Sequence, residues 1–381
     1  METERAVGQV TAIGLMSGTS CDGVDVALIE TDGKQIGRFG PTGYRPYSEE
    51  ERRLLRRAVA AARNIADRSD QPVPLREAEA LVTAAHAEAV EAFLKANGIL
   101  QSAVAVIGFH GQTVLHDPER RLTLQLGDGH ALAAQLKIPV VYDFRSADVA
   151  AGGQGAPLVP VFHRALARLL SRPFPIAVLN VGGVANLTYI DQGADLLAFD
   201  TGPGNALIDD FLRMRTGQTQ DTDGKAAAAG RIDATVVARI LAHPFFGRRP
   251  PKSLDRDEFG GLLAGETLAS ARTEDGAATL TAFTAAAVAQ ALRFLPRAPA
   301  CWMVAGGGAR NPTLMHMLKE RLAPASVEPA EAAGWSADAL EAQAFAYLAV
   351  RSLRGLALTF PSTTGAPRML TGGVLAGVAR R

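Results

Sequence analysis

The sequence predicts an α/β protein built of two duplicated lobes, and three observations predict it. Strand-like and helix-like patterns alternate along 381 residues, a length beyond what one core usually serves. The opening pattern of strand, small-residue tip and strand, residues 13–29, recurs at 176–190. Further strands and helices follow in each half, an internal repeat of about 165 residues that reads as two lobes facing each other across a cleft.

The first hairpin organises the rest. Ile13–Ser17 and Val24–Ile29 read as strands around a tip of glycine, hydroxyl side chains and one carboxylate. Gly18 and Gly23 let backbone N–H groups turn toward one point, and Ser17, Thr19 and Ser20 add hydroxyl donors. Such a nest suits a phosphate. Asp22 cannot face an anion directly, so it is expected to organise Mg²⁺ through water or to brace the loop.

A turn at Thr31–Lys34 leads to a third strand near 35–39, then two amphipathic helices at about 48–66 and 75–97, the second stopped by Gly98. Ala103–Phe109 reads as a buried strand ending in His110, Gly111, Gln112 and Thr113. Strands at 122–126 and 138–142 flank a helix at 130–136. Residues 143–160 carry polar groups, glycines and prolines without a clear period, so they read as a crossing between lobes. The second hairpin has Gly182 and Gly183 at its tip. An apolar strand then ends at Asp200, before Thr201-Gly202-Pro203-Gly204-Asn205 and a helix at 206–215. Cys301–Val304 meets Gly306-Gly307-Gly308 and a helix at 313–321; a last strong helix spans 337–353. One phosphate hairpin per lobe, gripping a nucleoside triphosphate from both sides, is a more specific signal than either loop.

Composition narrows the classes. Apolar residues make up 48% and charged residues 20%, with 39 basic and 39 acidic side chains giving a formal net charge of zero. That balance argues against a dedicated nucleic-acid or anionic-membrane surface. No apolar run approaches the ~20 residues that span a bilayer. Two cysteines, Cys21 and Cys301, make no disulfide framework and fit a reducing compartment. A cytoplasmic protein of small-molecule substrates is expected, with a homodimer left open.

Taken together, Gly14 to Ser20 with Asp22-Gly23, His110-Gly111-Gln112-Thr113, Asp143-Phe144-Arg145 and the run Asp148 to Pro160 resemble the anhydro-N-acetylmuramic acid kinase family. Asn180-Val181-Gly182-Gly183, Asp200 to Asn205, Pro251-Lys252-Ser253 and Gly306 to Ala309 complete the resemblance, in family order from end to end. The resemblance implies two actin/hexokinase/Hsp70-type (ribonuclease H-like) lobes with a nucleotide cleft between them. It places residues 1–145 plus 362–381 in an N-terminal lobe and 146–361 in a C-terminal lobe. It also implies that water opens the 1,6-anhydro bridge at C1 while O6 takes the γ-phosphoryl group of ATP, with Mg²⁺, giving N-acetylmuramic acid 6-phosphate.

Site expectations follow from residues and resemblance together. The resemblance assigns Asp200 as the base that takes a proton from the attacking water. Phosphorylation of O6 would replace the second carboxylic acid that a glycosidase supplies, so no close acid pair is expected. Ser17, Gly18, Thr19, Ser20, Cys21, Asp22, Gly23 and Val24 would hold phosphate from one lobe, Gly182 and Gly183 from the other. Gly306, Gly307 and Gly308 would admit the adenosine close to backbone. His110 and Gln112 are expected at the sugar. Arg145 either meets the lactyl carboxylate or pairs with Asp143 or Asp148. Glu341 reaches the sugar as the family's glutamate does, while Asp338 serves the helix dipole. Cys21, where the family often has an aliphatic residue, reads as a packing position; Leu254 to Phe259, more acidic than usual, and Gly334 to Asp338, lacking a proline, depart from the family pattern. A nucleotide-driven switch or binding protein on the same fold, without sugar turnover, is the alternative.

Overall fold

The computed structural model describes residues 8–193, 196–255, 258–261, 268, 270–336 and 339–377. Arg256, Asp257, Ala337 and Asp338 therefore lie outside the described residues, and with them the dipole role of Asp338. The chain forms two compact units, Met1–Leu166 with Asp338–Arg381, and Ala167–Ala337.

Strands are numbered along the whole chain. The first unit holds a seven-stranded sheet: β1 (Val10–Ser17), β2 (Gly23–Thr31), β3 (Ile36–Pro46), β4 (Val106–Asp117), β5 (Leu122–Leu126), β6 (Val140–Tyr142) and β12 (Val374–Ala376). Its order is β12-β6-β4-β1-β2-β3, with β5 paired to β4. The second unit holds β7 (Ile176–Val181), β8 (Val184–Ile190), β9 (Leu197–Pro203), β10 (Cys301–Ala305) and β11 (Ser326–Pro329), ordered β11-β10-β7-β8-β9.

The duplication expected from sequence is written in the pairing. β1, β2 and β3 form an antiparallel meander, with β4 parallel to β1 and β6 parallel to β4. β7, β8 and β9 repeat the meander, with β10 parallel to β7 and β11 parallel to β10. Both units thus follow one path, the mixed α/β topology that the resemblance implies. The central strands are buried along nearly their whole length, which is why β1, β7 and β10 read as continuous apolar runs.

Local chemistry explains the helix ends. Ser48 caps Glu49–Ala62 in a capping box with Glu51. Val73–Ala96 closes as a Schellman motif: Gly98 N–H bonds Lys95 O, Ile99 N–H bonds Leu94 O, and Gly98 takes a φ of +63°. Asp128 caps Gly129–Leu136 through the N–H groups of His130 and Ala131.

The unit boundaries differ from the expected 145 and 362, and packing supplies the reason. Helix Leu340–Leu353 lies directly on β1, β2 and β4 of the first unit. A Cβ at Gly14 would sit 1.7 Å from Ala342 O, and one at Gly108 would sit 2.0 Å from Phe345 O, so both glycines admit that helix. Residues 146–160 are likewise fastened inside the first unit rather than crossing between lobes. Asp148 Oδ1 accepts from Gly155 N–H, its Oδ2 accepts from Thr364 Oγ1, and Gln154 N–H bonds Thr364 O.

Helices Ala234–Leu241 and Thr273–Ala291 carry no counterpart in the sequence reading. Thr273–Ala291 is buried over Gly276–Val288, so it has no polar face to give it a visible period. Its extension, Thr273–Phe294, meets the length and hydropathy of a bilayer span, contrary to the expectation of no such run, but 72% of its apolar window is buried inside the fold.

Candidate active site

Asp200 sits on β9, opposite Asn186 of β8, and its backbone and side chain are both held by the segment 252–254. Asp200 N–H bonds Lys252 O at 3.0 Å, and Leu254 N–H donates to Oδ2 at 2.8 Å. No hydrogen bond from a described residue takes Oδ1. Burial pushes the Asp200 carboxyl up to about 6, opposed by the Leu254 N–H and the Lys252 charge. That is a carboxylate poised to exchange a proton near neutral pH.

The glycines of the same unit converge on the β7–β8 tip. Gly204 N–H bonds Gly183 O and Asn205 N–H bonds Gly182 O, both at 2.8 Å, while Asn205 Nδ2 donates to Val181 O at 3.1 Å. Gly306, at φ +79°, passes so near Asn180 that a Cβ would stand 2.4 Å from Asn180 Oδ1. A Cβ on Gly182 or Gly183 would meet no atom closer than 3.7 Å, leaving one face of the tip open. Gly306 and Gly308 pack on Asn180 and Val181, the residues that lead into the Gly182–Gly183 tip.

In the first unit the β1–β2 tip divides into two kinds of residue. Thr19, Ser20 and Asp22 are exposed, with Ser20 Oγ donating to Asp22 Oδ1 at 2.9 Å. Ser17, Cys21 and Val24 are buried, so only their backbones can serve a ligand. Cys21 packs in the core at φ +53°, as its packing reading expects, and its N–H closes the turn onto Gly18 O. Ser17 Oγ donates to Gln112 Oε1 at 2.6 Å and lies 3.2 Å from Tyr47 Oη, and Gln112 Nε2 donates to Gly18 O at 3.0 Å. Gln112 lies inside β4, paired with Ser17, and its side chain is fully buried as a brace of the tip.

A polar cluster lies beside Gln112, two residues back along β4 and just past the end of β6. Arg145 donates from Nε and Nη2 to His110 Nε2, at 3.2 and 3.1 Å, and from Nη1 to Gly155 O at 2.8 Å. His110 uses its Nδ1 on Gly111 O at 2.9 Å, and burial together with the Arg145 charge holds it neutral, well below the usual histidine range. Both ring nitrogens are thus engaged within the chain. Neither expected ion pair of Arg145 forms: Asp143 pairs with Arg68 at 3.0 Å, and Asp148 holds the glycine loop. Burial pulls Arg145 down to about 10, with Glu341 and Asp148 opposing at longer range. Glu341 opens helix Leu340–Leu353 and keeps solvent access, yet the density of surrounding protein raises its carboxyl, against the pull of Arg145.

The family model described as anhydro-N-acetylmuramic acid kinase matches residues 10–377. The chain belongs to the anhydro-N-acetylmuramic acid kinase family. A relative of that name from Nitrobacter winogradskyi is 58% identical over 366 residues, covering 96% of this chain and 99% of the relative. Another, from Methylobacterium nodulans, is 59% identical over 375 residues, covering 96% and 99%. A ROK family glucokinase from Streptomyces griseus, solved with glucose and AMPPNP, superposes with a TM-score of 0.39 at 15% identity, over 89% of this chain and 99% of its own.

One residue of the sequence motifs has a setting in the structure that the sequence does not foretell. Lys252 of the Pro-Lys-Ser motif reads from sequence as a phosphate contact or a solvated cation. It is half-buried and held: Nζ donates to Phe245 O at 3.2 Å and stands 4.3, 4.8 and 5.9 Å from the ring centres of Phe245, Phe294 and Phe199. The aromatic residues that make this cage are far apart in sequence, so no motif spacing announces it. Among the described residues no group of three or more His, Cys, Asp or Glu gathers as a metal site. An ion held by one exposed carboxylate, water and phosphate oxygens needs no such group, and Asp22 fits that donor set.

Proposed function

We propose that this chain opens 1,6-anhydro-N-acetylmuramic acid hydrolytically and phosphorylates O6 at the expense of ATP, releasing N-acetylmuramic acid 6-phosphate and ADP in the recycling of cell-wall sugar. The observation that carries the reading is Asp200: a carboxylate raised to about 6, with Oδ2 tied to backbone, at the aspartate of the family motif.

Asp200 takes a proton from water as the water oxygen bonds C1 and the C1–O6 bond breaks. O6 bonds the γ-phosphorus as the bridge to ADP breaks, so no carboxylic acid is needed to protonate the leaving oxygen. The backbone of Gly18 to Gly23, with Thr19 and Ser20, holds phosphate, as does the Gly182–Gly183 tip, and Gly306 to Gly308 lie along the adenosine. Asp22 would hold Mg²⁺ through water, and the ion when bound would neutralise triphosphate charge. Arg145, whose charge no described carboxylate meets at ion-pairing distance, receives the lactyl carboxylate, with His110 orienting the guanidinium and Glu341 bonding sugar hydroxyls. The substrates are small molecules and the setting is the cytoplasm.

The test is Asp200→Asn assayed with ATP and anhydro-sugar in ¹⁸O water. The wild-type product carries solvent oxygen at C1; the variant folds, still binds ATP and loses turnover by about 10²-fold or more. Normal turnover in Asp200→Asn would place the base elsewhere.

A further inference from the structure

Lys252 belongs to no step of the reaction above, yet its environment is built. Its ammonium stands among three rings that come from β9 (Phe199), helix Pro244–Gly247 (Phe245) and the turn Leu292–Phe294 (Phe294). Phe245 O accepts a hydrogen bond from Nζ. The backbone on either side of this anchored side chain is what grips Asp200: the Lys252 carbonyl takes the Asp200 N–H, and the Leu254 N–H takes Oδ2. Phe199 is also the immediate neighbour of Asp200 in the chain.

We propose that Lys252 is a positioning residue for Asp200: its ammonium, seated among Phe245, Phe294 and Phe199, anchors the 252–254 strap whose backbone grips the carboxylate and brings a positive charge to that side of the site. The proposal rests on the reading of Asp200 as the base. Lys252 is half-buried, and a cation held over aromatic faces and a carbonyl gives up part of its water, so its field on Asp200 is screened less than that of a cation on the open surface. The other described charges near Lys252 are Arg248 and Arg293; both oppose its charge, and Arg248 is partly offset by Glu258 at 3.7 Å. Burial and these two arginines pull Lys252 down to about 8, so it still carries its proton where Asp200 titrates.

The experiment is the pH profile of kcat for the full-length protein with ATP and anhydro-sugar, comparing wild type with Lys252→Gln, Lys252→Met and Lys252→Arg. Gln keeps a donor for Phe245 O without the charge; Met fills the cage with a soft apolar chain. Removing the positive charge raises the Asp200 carboxyl, so the acid limb moves to higher pH. The expected loss in Lys252→Gln is about tenfold near pH 6 and less than about threefold near pH 8.5, while Lys252→Arg keeps the limb in place. Lys252→Met follows Gln; if it does not fold, the Gln and Arg pair decides. A loss of equal factor at every pH, or no loss, overturns the proposal and leaves Asp200 as the base. Full activity of Asp200→Asn overturns the underlying reading instead.

Discussion

Gln112 shows how little a motif says of the partners a side chain finds in the fold. Its place after a buried strand and beside His110 points toward the sugar, yet the folded chain uses its carbonyl on Ser17 and its amide on Gly18 O. Replacement by Leu leaves the Gly18 carbonyl with the Cys21 N–H and takes from Ser17 its acceptor. Breaking buried bonds of this kind costs about 1–3 kcal/mol. Gln112→Leu is therefore expected to melt earlier and to raise KM for ATP several-fold, with KM for the anhydro-sugar nearly unchanged. Steady-state kinetics in both substrates decide it, since a rise confined to the sugar KM would restore the sugar role.

At the scale of elements, the decisive contact is the helix laid on the first sheet. Gly14 and Gly108 read in sequence as strand glycines without explanation; with Leu340–Leu353 in place, each is a point where helix backbone touches strand backbone. A methyl at Gly14 would stand 1.7 Å from Ala342 O and 2.5 Å from Ala346 N, and neither atom is the end of a flexible side chain. Gly14→Ala must displace the helix and with it Glu341, at a cost of about 3 kcal/mol or more. Gly98→Ala is the control: its Cβ meets nothing within 4 Å, so only the left-handed backbone is strained, by about 1 kcal/mol. Urea titration of the two variants should separate them clearly, and equal destabilisation would contradict the packing account.

The whole molecule carries an asymmetry in acid sensitivity. His86, His110, His116 and His163 all lie in the first unit, and burial depresses each: His86 and His116 to about 4, His163 to about 3, and His110 well below its usual range. The unfolded chain binds protons on these rings below about pH 6.5 while the native state refuses them, so stability is full above that value and falls as pH drops toward 4. Each fully buried ring contributes a loss of roughly 1.4 kcal/mol per pH unit over that window. Calorimetry from pH 7 to pH 5 is expected to show the transition of the first unit moving down in temperature faster than that of the second. Parallel movement of both transitions would mean these histidines are protonated in the native state.

By itself the sequence determined what depends on local order: the hairpin tips, the stop at Gly98, and the duplication of strand patterns; the strand expected to end at Asp200 runs on to Pro203. These features are set by neighbours within a few residues, or by a motif that survives intact. Only the tertiary structure decided the partners of Gln112, the engagement of both His110 nitrogens, the joining of Leu340–Leu353 to the first unit, and the cage around Lys252. Each of those depends on groups tens to hundreds of residues apart brought within a few ångströms, and a backbone's side-chain period says nothing of which distant surface will cover it.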